Sequence, residues 1–392
     1  MNSNFENSFS KLQQYVEEEN YKGWDPYDGL NSKIFQAIPF VKNNRFCRLA
    51  WIQFFKKSPI NFRKLLLVEK GYNSKGIALF LSAYCRLYTI EPTEKNVQKI
   101  KELSTKLLEM KADGWSGYCW GYNFDWQARA FFQPKNTPTV VASVYASWAL
   151  LEAYEILQDK KLLDAAESCC SFILKDLNRN YDADGDFCFS YSPLDKSIVF
   201  NASLLGSRLL SKMYSLTKNE LYKIEAKKSV SYCVKHQQSN GAWAYGLQSF
   251  HYWIDNFHTG FNLECIAAYQ KYTGDTSFET AISKGFEYYI NNFFEEDGKP
   301  KYYNNKTYPI DIHAPAQLVI TLYELGLIQK EEKLCSTVLN WTIQNMQDNN
   351  GYFYYQINQS LNSKIPYIRW AQAWMFFALA TYKKAFHENR IV

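Results

Sequence analysis

A short polar loop, built around a glycine and rich in aromatic residues, recurs five times along the chain. The glycines are Gly114, Gly185, Gly241, Gly298 and Gly351, which lie 71, 56, 57 and 53 residues apart. Segments with apolar residues at helical spacing run between these loops. Self-similarity at such a period is the signature of a repeat architecture, in which each unit buries its apolar face against its neighbours. The sequence therefore predicts a series of helical hairpins.

Each interval between loops divides into two helical segments joined by a short polar turn. Three of these turns align with one another, at residues 157–163, 216–222 and 272–278. One helix of each hairpin is expected to begin near Lys75, ahead of the first glycine loop, or after a glycine loop near Pro138, Ile198, His258, Ile312 and Arg369. Six starts give six hairpins if residues 44–68 form the helix that precedes the first of them.

The alternate helices differ in composition. Residues 140–157, 200–216, 261–272, 316–327 and 370–382 are apolar nearly all round, whereas 162–177, 221–235 and 278–293 carry Lys and Glu on one face. A helix that is apolar on every side is surrounded by neighbours, so the first set forms an inner ring and the second an outer ring. Strand signals are confined to short aromatic runs.

These patterns predict an all-α fold, an (α/α)₆ toroid of six helical hairpins with glycine–aromatic loops at the mouth of its cavity. No stretch has the composition of a linker, so residues 1–392 are expected to form a single domain. Residues 1–30 would add an N-terminal helix and a loop to the mouth.

Charge and composition exclude several classes of protein. The net charge of +5 is spread over 44 Lys and Arg and 39 Asp and Glu, without the basic stripe of a nucleic-acid groove. No run of about 18 apolar residues occurs, so we expect a cytoplasmic protein with no integral membrane segment. The nine scattered Cys lack paired spacing and indicate buried free thiols. Zinc, calcium-loop and phosphate-loop patterns are missing, so neither a metal nor a cofactor is expected.

The number of hairpins and the glycine–aromatic loops make residues 30–387 resemble the (α/α)₆ toroids. This group includes glycoside hydrolases, uronyl hydrolases, sugar epimerases and polysaccharide lyases. Residues 191–195 with Asn201, residues 255–264 and residues 369–374 are also similar to proteins of bacterial surface-polysaccharide gene clusters. The resemblance implies an oligosaccharide or polysaccharide as the partner of this chain.

In such a ring the loops that enter the inner helices gather at one end, so side chains at the helix starts converge on one cavity. The residues expected there are Trp24, Asp25, Asp28, Trp115, Trp120, Asn123, Asp125, Asn201, Trp243, Asp255, His258, Asp311, His313, Tyr355 and Arg369. Aromatic rings beside carboxylates and amides suit sugars, whose C–H faces stack on the rings while their hydroxyls bond to the polar groups.

Two histidines stand at equivalent positions of consecutive inner helices. Asp255 precedes His258 by three residues, and a carboxylate at that spacing can hold the imidazole for acid–base catalysis. Asp311 and His313 repeat the arrangement one hairpin later. The competing interpretation is that both Asp residues are helix caps and both His residues belong to the core.

The remaining polar candidates have structural alternatives as well. Turn chemistry alone explains Asp25 before Pro26 and Asp28 before Gly29. Arg369 is expected either to bind a substrate carboxylate or phosphate in bidentate fashion, or to form an ion pair with Asp28 or Asp125 that closes the ring.

The leading hypothesis is an enzyme that acts on a glycan by general acid–base catalysis. Hydrolysis would use two carboxylates, with Asp28 and Asp125 as the pair, whereas epimerisation or lysis would use His258 and His313, with Arg369 neutralising a uronate. Two alternatives remain open: a toroid that handles an isoprenoid, like the terpenoid cyclases and prenyltransferases, and a non-catalytic glycan-binding protein of polysaccharide assembly.

Overall fold

The computed structural model of this protein describes residues 3–128 and 132–388. The α-helices are α1 (Ser3–Glu18), α2 (Lys33–Gln36), α3 (Pro39–Asn43), α4 (Arg45–Lys57), α5 (Ser74–Ile90), α6 (Glu94–Glu109), α7 (Val140–Leu157), α8 (Lys160–Asp176), α9 (Phe200–Thr217), α10 (Glu220–Lys235), α11 (Asn256–Thr273), α12 (Glu279–Phe293), α13 (His313–Glu324), α14 (Glu332–Met346) and α15 (Trp374–Glu388). A π-helical turn, Ile368–Ala373, leads into α15, and 3₁₀ turns span Asp28–Asn31 and Ser249–His251.

Strands form only small hairpins and clips within the described residues. They are β1 (Trp126–Gln127), β2 (Phe132–Gln133), β3 (Arg179–Tyr181), β4 (Phe187–Phe189), β5 (Ile310–Asp311) and β6 (Gln356–Ile357). The antiparallel pairs are β1–β2, β3–β4 and β5–β6, and each lies in the loops that lead into inner helices.

Six helices close into an inner ring. Helix α5 packs on α7, α7 on α9, α9 on α11, α11 on α13, α13 on α15, and α15 returns to α5. Helices α6, α8, α10, α12 and α14 each lie outside the inner helix that precedes them. The ring axis is lined by residues that are buried on all sides, and this confirms the predicted all-α toroid. The six inner elements begin within two residues of their predicted starts.

The sixth outer helix is α1, which packs on α14 and α15. A Cβ added at Gly241, Gly298 or Gly351 would come within 2.6 Å of a backbone carbonyl oxygen of α12, α14 and α1, respectively. The glycine loops thus meet α1 in the same way as they meet the other outer helices. The five loop glycines also have positive φ angles between 81° and 94°, which side chains disfavour.

The prediction for residues 44–68 is wrong. Helix α4 does not provide the sixth outer helix, because it packs against the 3₁₀ turn 28–31, α3 and β1 at the end of the ring where the inner helices begin. We call this end the mouth. The toroid still has six inner and six outer helices, because α1 takes the place in the outer ring that was predicted for residues 44–68.

The opposite end of the ring axis holds a buried ion cluster. Arg86 Nη2 lies 2.9 Å from Glu324 Oε1, and Arg208 lies 3.7 Å from Glu264 and 3.8 Å from Glu324. Glu152 is a third buried carboxyl group beside Arg86. Three carboxyl groups against two guanidinium groups leave one acid unpaired, and burial raises the pKa of Glu264 to about 7. We call these five residues the basal ion cluster.

The nine Cys are free thiols, and all but Cys47 are buried. Helix α7 is long and apolar enough to cross a membrane by length and composition alone, but it is an inner-ring helix and two thirds of it (67%) are buried in the protein.

Candidate functional site

The site is built from the first turns of the inner helices, where they converge on the ring axis. Its central residues are Lys75, Tyr145, His258, Phe261, His313 and Trp374, which we call the axial cluster. They come from α5, α7, α11, α13 and α15, so the cluster exists only in the closed ring.

His258 is held in place by Asp255, the N-cap of α11. The Asp255 carboxylate accepts the backbone N–H of His258 at 2.9 Å and faces the ring Nδ1 of His258 at 2.7 Å. The indole Nε1 of Trp253 donates to the same carboxylate at 3.0 Å. A carboxylate against Nδ1 fixes the tautomer that carries its proton there, which leaves Nε2 as a hydrogen-bond and proton acceptor. The capping and orienting roles of Asp255 therefore coexist.

His313 is buried, with 2% of its surface exposed, and neither ring nitrogen has a hydrogen-bond partner among the described residues. Its ring stacks on Phe257 at 4.5 Å between centroids. Burial lowers the pKa of His313 well below its ordinary value, and the charge of Lys75 adds to the shift. This imidazole is neutral near pH 7 and offers one donor and one acceptor.

The two histidines share one aromatic wall. The Phe257 ring centroid lies 4.5 Å from the ring of His258 and 4.5 Å from that of His313. Phe261 contacts the same two rings at 5.9 and 5.7 Å. The structure therefore brings together the two residues that the sequence placed at equivalent helix starts.

Lys75 is the most unusual member of the axial cluster. Its Nζ lies 4.3 Å from the ring centroid of Tyr145, 4.9 Å from that of Trp374 and 5.3 Å from that of Phe261. Its side chain has no hydrogen bond or ion pair within the described residues, and only 4% of Lys75 is exposed. Burial lowers the pKa of Lys75 well below its ordinary value, and the charge of Arg369 adds to the shift.

Further polar atoms of the cluster are without partners in the part of the chain that the structure describes. They are the Nε1 of Trp374 and the hydroxyl of Tyr145. A buried polar group that lacks a partner is costly, and such groups in a native protein indicate an interaction with water or a ligand. The axial cluster therefore presents several hydrogen-bonding groups that no described protein group satisfies.

An aromatic rim surrounds the axial cluster on the side of the mouth. It consists of Tyr27, Trp126, Tyr191, Tyr245 and Trp370. The Tyr245 ring contacts that of His258 at 4.5 Å, and Trp370 contacts His313 at 5.2 Å. From α4, Lys56 reaches over the rim, where its Nζ donates to the Tyr27 hydroxyl at 3.0 Å.

Asp311 is fully buried beside His313, but its oxygens are already satisfied. It accepts the backbone N–H of His313 at 2.9 Å, the indole N–H of Trp370 at 2.8 Å and the side-chain N–H of Gln356 at 2.5 Å. Burial raises the pKa of Asp311 to about 6. Tyr355 is buried close by, and its hydroxyl has no partner among the described residues. Asp311 therefore holds the entry of α13 and does not orient the His313 ring.

Arg369 forms an ion pair, but with neither of the two residues considered from the sequence. Its Nε and Nη2 donate to the two carboxylate oxygens of Asp25 at 2.6 and 2.8 Å. Asp28 is bound instead by the buried Arg63, at 2.7 Å. Burial raises the pKa of Asp28 to about 6. The Arg369 pair ties the N-terminal loop to the ring, whereas the Arg63 pair ties it to the segment that follows α4. The bidentate face of Arg369 is already occupied.

Asp125 and Asn123 lie apart from the axial cluster. The Asp125 carboxylate accepts a hydrogen bond from the backbone N–H of Lys135 at 2.8 Å. Asp125 and Asn123 both line a surface cleft of about 460 Å³. Asn123 accepts from the side chain of Asn73, the cap of α5. The structure does not pair Asp125 with Asp28, because each has its own structural partner. Asn201 is buried in the first turn of α9, with an unpartnered Oδ1.

The tryptophans expected to bind sugar are placed in the core or against outer helices. The indoles of Trp120 and Trp243 donate to the backbone carbonyls of Leu107 and Cys233 at 2.7 and 3.0 Å, near the ends of α6 and α10. A similar bond, at 2.9 Å, links Trp24 to the carbonyl of Val68.

Trp115 packs on Phe172 of α8. The expected glycan contacts are thus corrected. Trp120 and Trp243 satisfy carbonyls near the ends of outer helices, which need donors, Trp115 packs on an outer helix, and Trp24 is bonded to the segment after α4.

Sequence reasoning missed Lys75, Tyr145, Trp374 and the rim. One signal was available for Lys75, because it is the single charged residue in the first three turns of an otherwise apolar inner helix. Among the described residues, no group of three or more His, Cys, Asp or Glu is arranged to hold a metal ion.

No protein-family model matches the chain, and no curated protein matches it either. Several solved structures, however, match the chain. A cellobiose 2-epimerase from Bacillus thermoamylovorans matches with a TM-score of 0.62 at 14% identity, over 80% of this chain and 88% of the epimerase. An α-mannanase of glycoside hydrolase family 76 from Bacteroides thetaiotaomicron matches with a TM-score of 0.63 at 12% identity, over 81% and 88%.

An unsaturated glucuronyl hydrolase specific for heparin matches with a TM-score of 0.59 at 12% identity, over 81% of this chain and 87% of the hydrolase. At such identities the likeness establishes the fold. The chain is therefore an all-α toroid of the six-hairpin type that these carbohydrate-active enzymes share.

Proposed function

We propose that the protein is a carbohydrate-processing enzyme that transfers a proton at a sugar carbon, as in epimerisation or lysis. The observation that carries the proposal is the pair of histidines on one aromatic wall, of which one is held by a carboxylate and the other is neutral with both nitrogens unpartnered. The carbohydrate enzymes among the structural neighbours support a glycan substrate. We further propose that the glycan is a bacterial oligosaccharide or polysaccharide.

In this reaction Nε2 of His258 accepts the proton from a carbon next to a carbonyl group. The electron pair of the broken C–H bond moves into a carbon–carbon double bond, and the carbonyl oxygen becomes negative. His313 then relays a proton and stays neutral: one ring nitrogen takes a proton from water while the other gives its proton to the opposite face of the same carbon, where the new C–H bond restores the carbonyl group and inverts the carbon. In lysis the relayed proton goes instead to the sugar oxygen that departs from the next carbon, as the electron pair of the double bond expels it and the carbonyl group re-forms. Positioned acid–base groups of this kind contribute about 10²- to 10⁴-fold to a rate.

The donors of the axial cluster suit the negative oxygen that forms in this step. Trp374 Nε1 is buried without an acceptor among the described residues, and the Nζ of the buried Lys75 lies over the ring of the same tryptophan. Donors fixed in a site of low polarity stabilise developing charge more strongly than water does. An isoprenoid would leave the same donors unpaired, so we favour a sugar over a lipid as the substrate.

The test is a reaction in D₂O followed by proton NMR. Reducing disaccharides and uronic acids are incubated with the protein, and exchange of the sugar C–H next to the carbonyl is measured. We expect exchange with the wild type and a loss of about 100-fold or more in the His258→Ala and His313→Ala variants. Asp255→Asn should lose less, because its amide can still accept from the His258 backbone and ring.

His387→Ala, at the end of α15, is the matched control and should exchange at the wild-type rate. New reducing ends without any exchange would show a hydrolase and would return the catalysis to the carboxylates. Sugar binding with neither product would show a glycan-binding protein and overturn the proposal.

A further inference from the structure

The segment from residue 33 to residue 67, which carries α2, α3 and α4, differs in charge from the rest of the chain. Residues 29–68 contain no Asp or Glu, whereas they contain eight basic residues: Lys33, Lys42, Arg45, Arg48, Lys56, Lys57, Arg63 and Lys64. Only Arg63 is buried among them. Lys33 pairs with Glu69, just outside the segment, so the positive charge of this surface comes from the other exposed cations.

The same segment exposes apolar side chains. Half of the sixteen large apolar residues that are exposed in the described chain fall within it: Ile34, Ile38, Phe40, Phe46, Phe54, Ile60, Leu65 and Leu67. Phe40 is 89% exposed and Phe46 is 78% exposed, the two highest values among them. Exposed apolar residues are ordinary when scattered singly, but a concentrated patch marks an interaction surface. We call residues 33–67 the basic apolar face.

Helix α4 shows how the face is organised. Its inner side buries Ile52 and Phe55 against the protein, and its outer side presents Phe46 and Phe54 to solvent two turns apart. Lys57, about one turn after Phe54, lies on the same outer side of the helix. A helix with an apolar side, a basic flank and no acidic residue is typical of segments that lie in the interface of an anionic bilayer.

We propose that the basic apolar face docks the protein on the surface of an anionic lipid bilayer. Phe40 and Phe46 would insert among the headgroups, and the surrounding cations would contact lipid phosphates. A protein partner fits less well, because the two most exposed side chains are large rings and the segment itself carries no acidic residue to match a surface of mixed charge. A bilayer needs no shape complementarity and supplies the negative charge.

The face borders the mouth of the ring. Lys56 belongs to α4 and donates to Tyr27, whose ring contacts Trp370 at 5.8 Å on the rim of the axial cluster. Docking would thus bring the mouth close to the bilayer, where a glycan attached to a lipid would be within reach. The docking itself is independent of the reaction proposed above.

The test is co-sedimentation of the full chain with vesicles. We expect binding to vesicles of phosphatidylglycerol and phosphatidylcholine, little binding to phosphatidylcholine alone, and release by high salt. The double variant F40S/F46S should bind at least about tenfold more weakly, since burial of two aromatic side chains is lost. K57E/K64E should also bind more weakly while retaining both rings.

The matched control is L221S/I224S, which removes two exposed apolar residues of α10, 51% and 49% exposed, outside the basic apolar face. It should bind like the wild type. Because all these positions are exposed, circular dichroism melting should show normal folding. Absence of binding to anionic vesicles would overturn the proposal, as would unchanged binding by F40S/F46S. A wild-type dimer that F40S/F46S converts to monomer, without vesicle binding, would reassign the face to self-association.

Discussion

Lys75 combines two properties that rarely occur together. It is a buried amine among three aromatic rings, and it has no hydrogen-bond partner in the described part of the chain. An amine that is buried without a partner lowers the free energy of unfolding, that is, it makes the folded protein less stable. Proteins retain such groups where function requires them. The residue therefore belongs with the catalytic machinery that we propose and not with the core that surrounds it.

We expect Lys75→Met to lower turnover by about 100-fold while leaving the protein at least as stable as the wild type. The thioether of Met fills a similar volume and packs well on aromatic rings. Urea unfolding and the D₂O exchange assay measure the two effects, with Lys101→Met on the surface of α6 as the control. A large loss of stability in Lys75→Met would show that the amine is structural.

Individual site residues were predictable where spacing along the chain fixes their position. Asp255, His258 and His313 stand at helix starts, and an inner-ring start must face the mouth or the axis. The tryptophans were misplaced because composition cannot tell a ring that meets a sugar from one whose N–H caps a helix, as Trp243 does. The pairing of Arg369 with Asp25 joins residues 344 positions apart, and no local pattern encodes it.

At the scale of elements, the glycine loops depend on the tryptophans that follow them. We expect Trp243→Phe to lower the free energy of unfolding by about 1–3 kcal/mol, because the Cys233 carbonyl loses its donor in a buried position. Trp120→Phe should behave alike, since it frees the Leu107 carbonyl. Urea unfolding measures both. Normal stability with lost turnover would instead indicate that these rings contact the substrate.

The basal ion cluster makes stability depend on pH. The Glu264 pKa is raised from 4.5 to about 7 by burial, so its contribution is complete below pH 4.5 and is lost as the pH rises through 7. We expect Glu264→Gln to gain up to about 3 kcal/mol relative to the wild type between pH 4.5 and pH 8. Urea unfolding across this range checks it, with Glu296→Gln as the exposed control. A constant difference between Glu264→Gln and the wild type would contradict the expectation.

The positions of the helices were well predicted from the sequence, because apolar residues must recur at helical spacing on the buried side of each helix. The inner helix 140–157 was predicted with the bounds that the structure gives it. The assignment of residues 44–68 failed for a physical reason: α4 is amphipathic, as an outer helix would be, but its exposed side carries Phe46 and Phe54 in place of polar residues. Sequence alone gives the amphipathic character, whereas tertiary contacts decide the partner.

At the scale of the whole molecule, the outer ring is completed by α1, which packs on α15. Phe9 of α1 stacks on Phe376 of α15 at 5.2 Å and is 3% exposed. We expect Phe9→Ala to cost about 3–5 kcal/mol, the usual price of truncating a buried Phe. A single cooperative transition at lower urea should result. A variant that unfolds in two steps would show that α1 is stabilised separately from the ring.

The packing of α1 on α15 sets the order of events during synthesis. Glu6 and Lys383, which form an ion pair in the folded protein, are 377 positions apart. At roughly 5 to 20 residues per second, α1 leaves the ribosome on the order of 20 to 70 seconds before α15 is complete. Its apolar side then has no partner and is open to chaperones or to other nascent chains. Because Trp374 follows every other member of the axial cluster along the chain, the cluster can form only after residue 374 has been made.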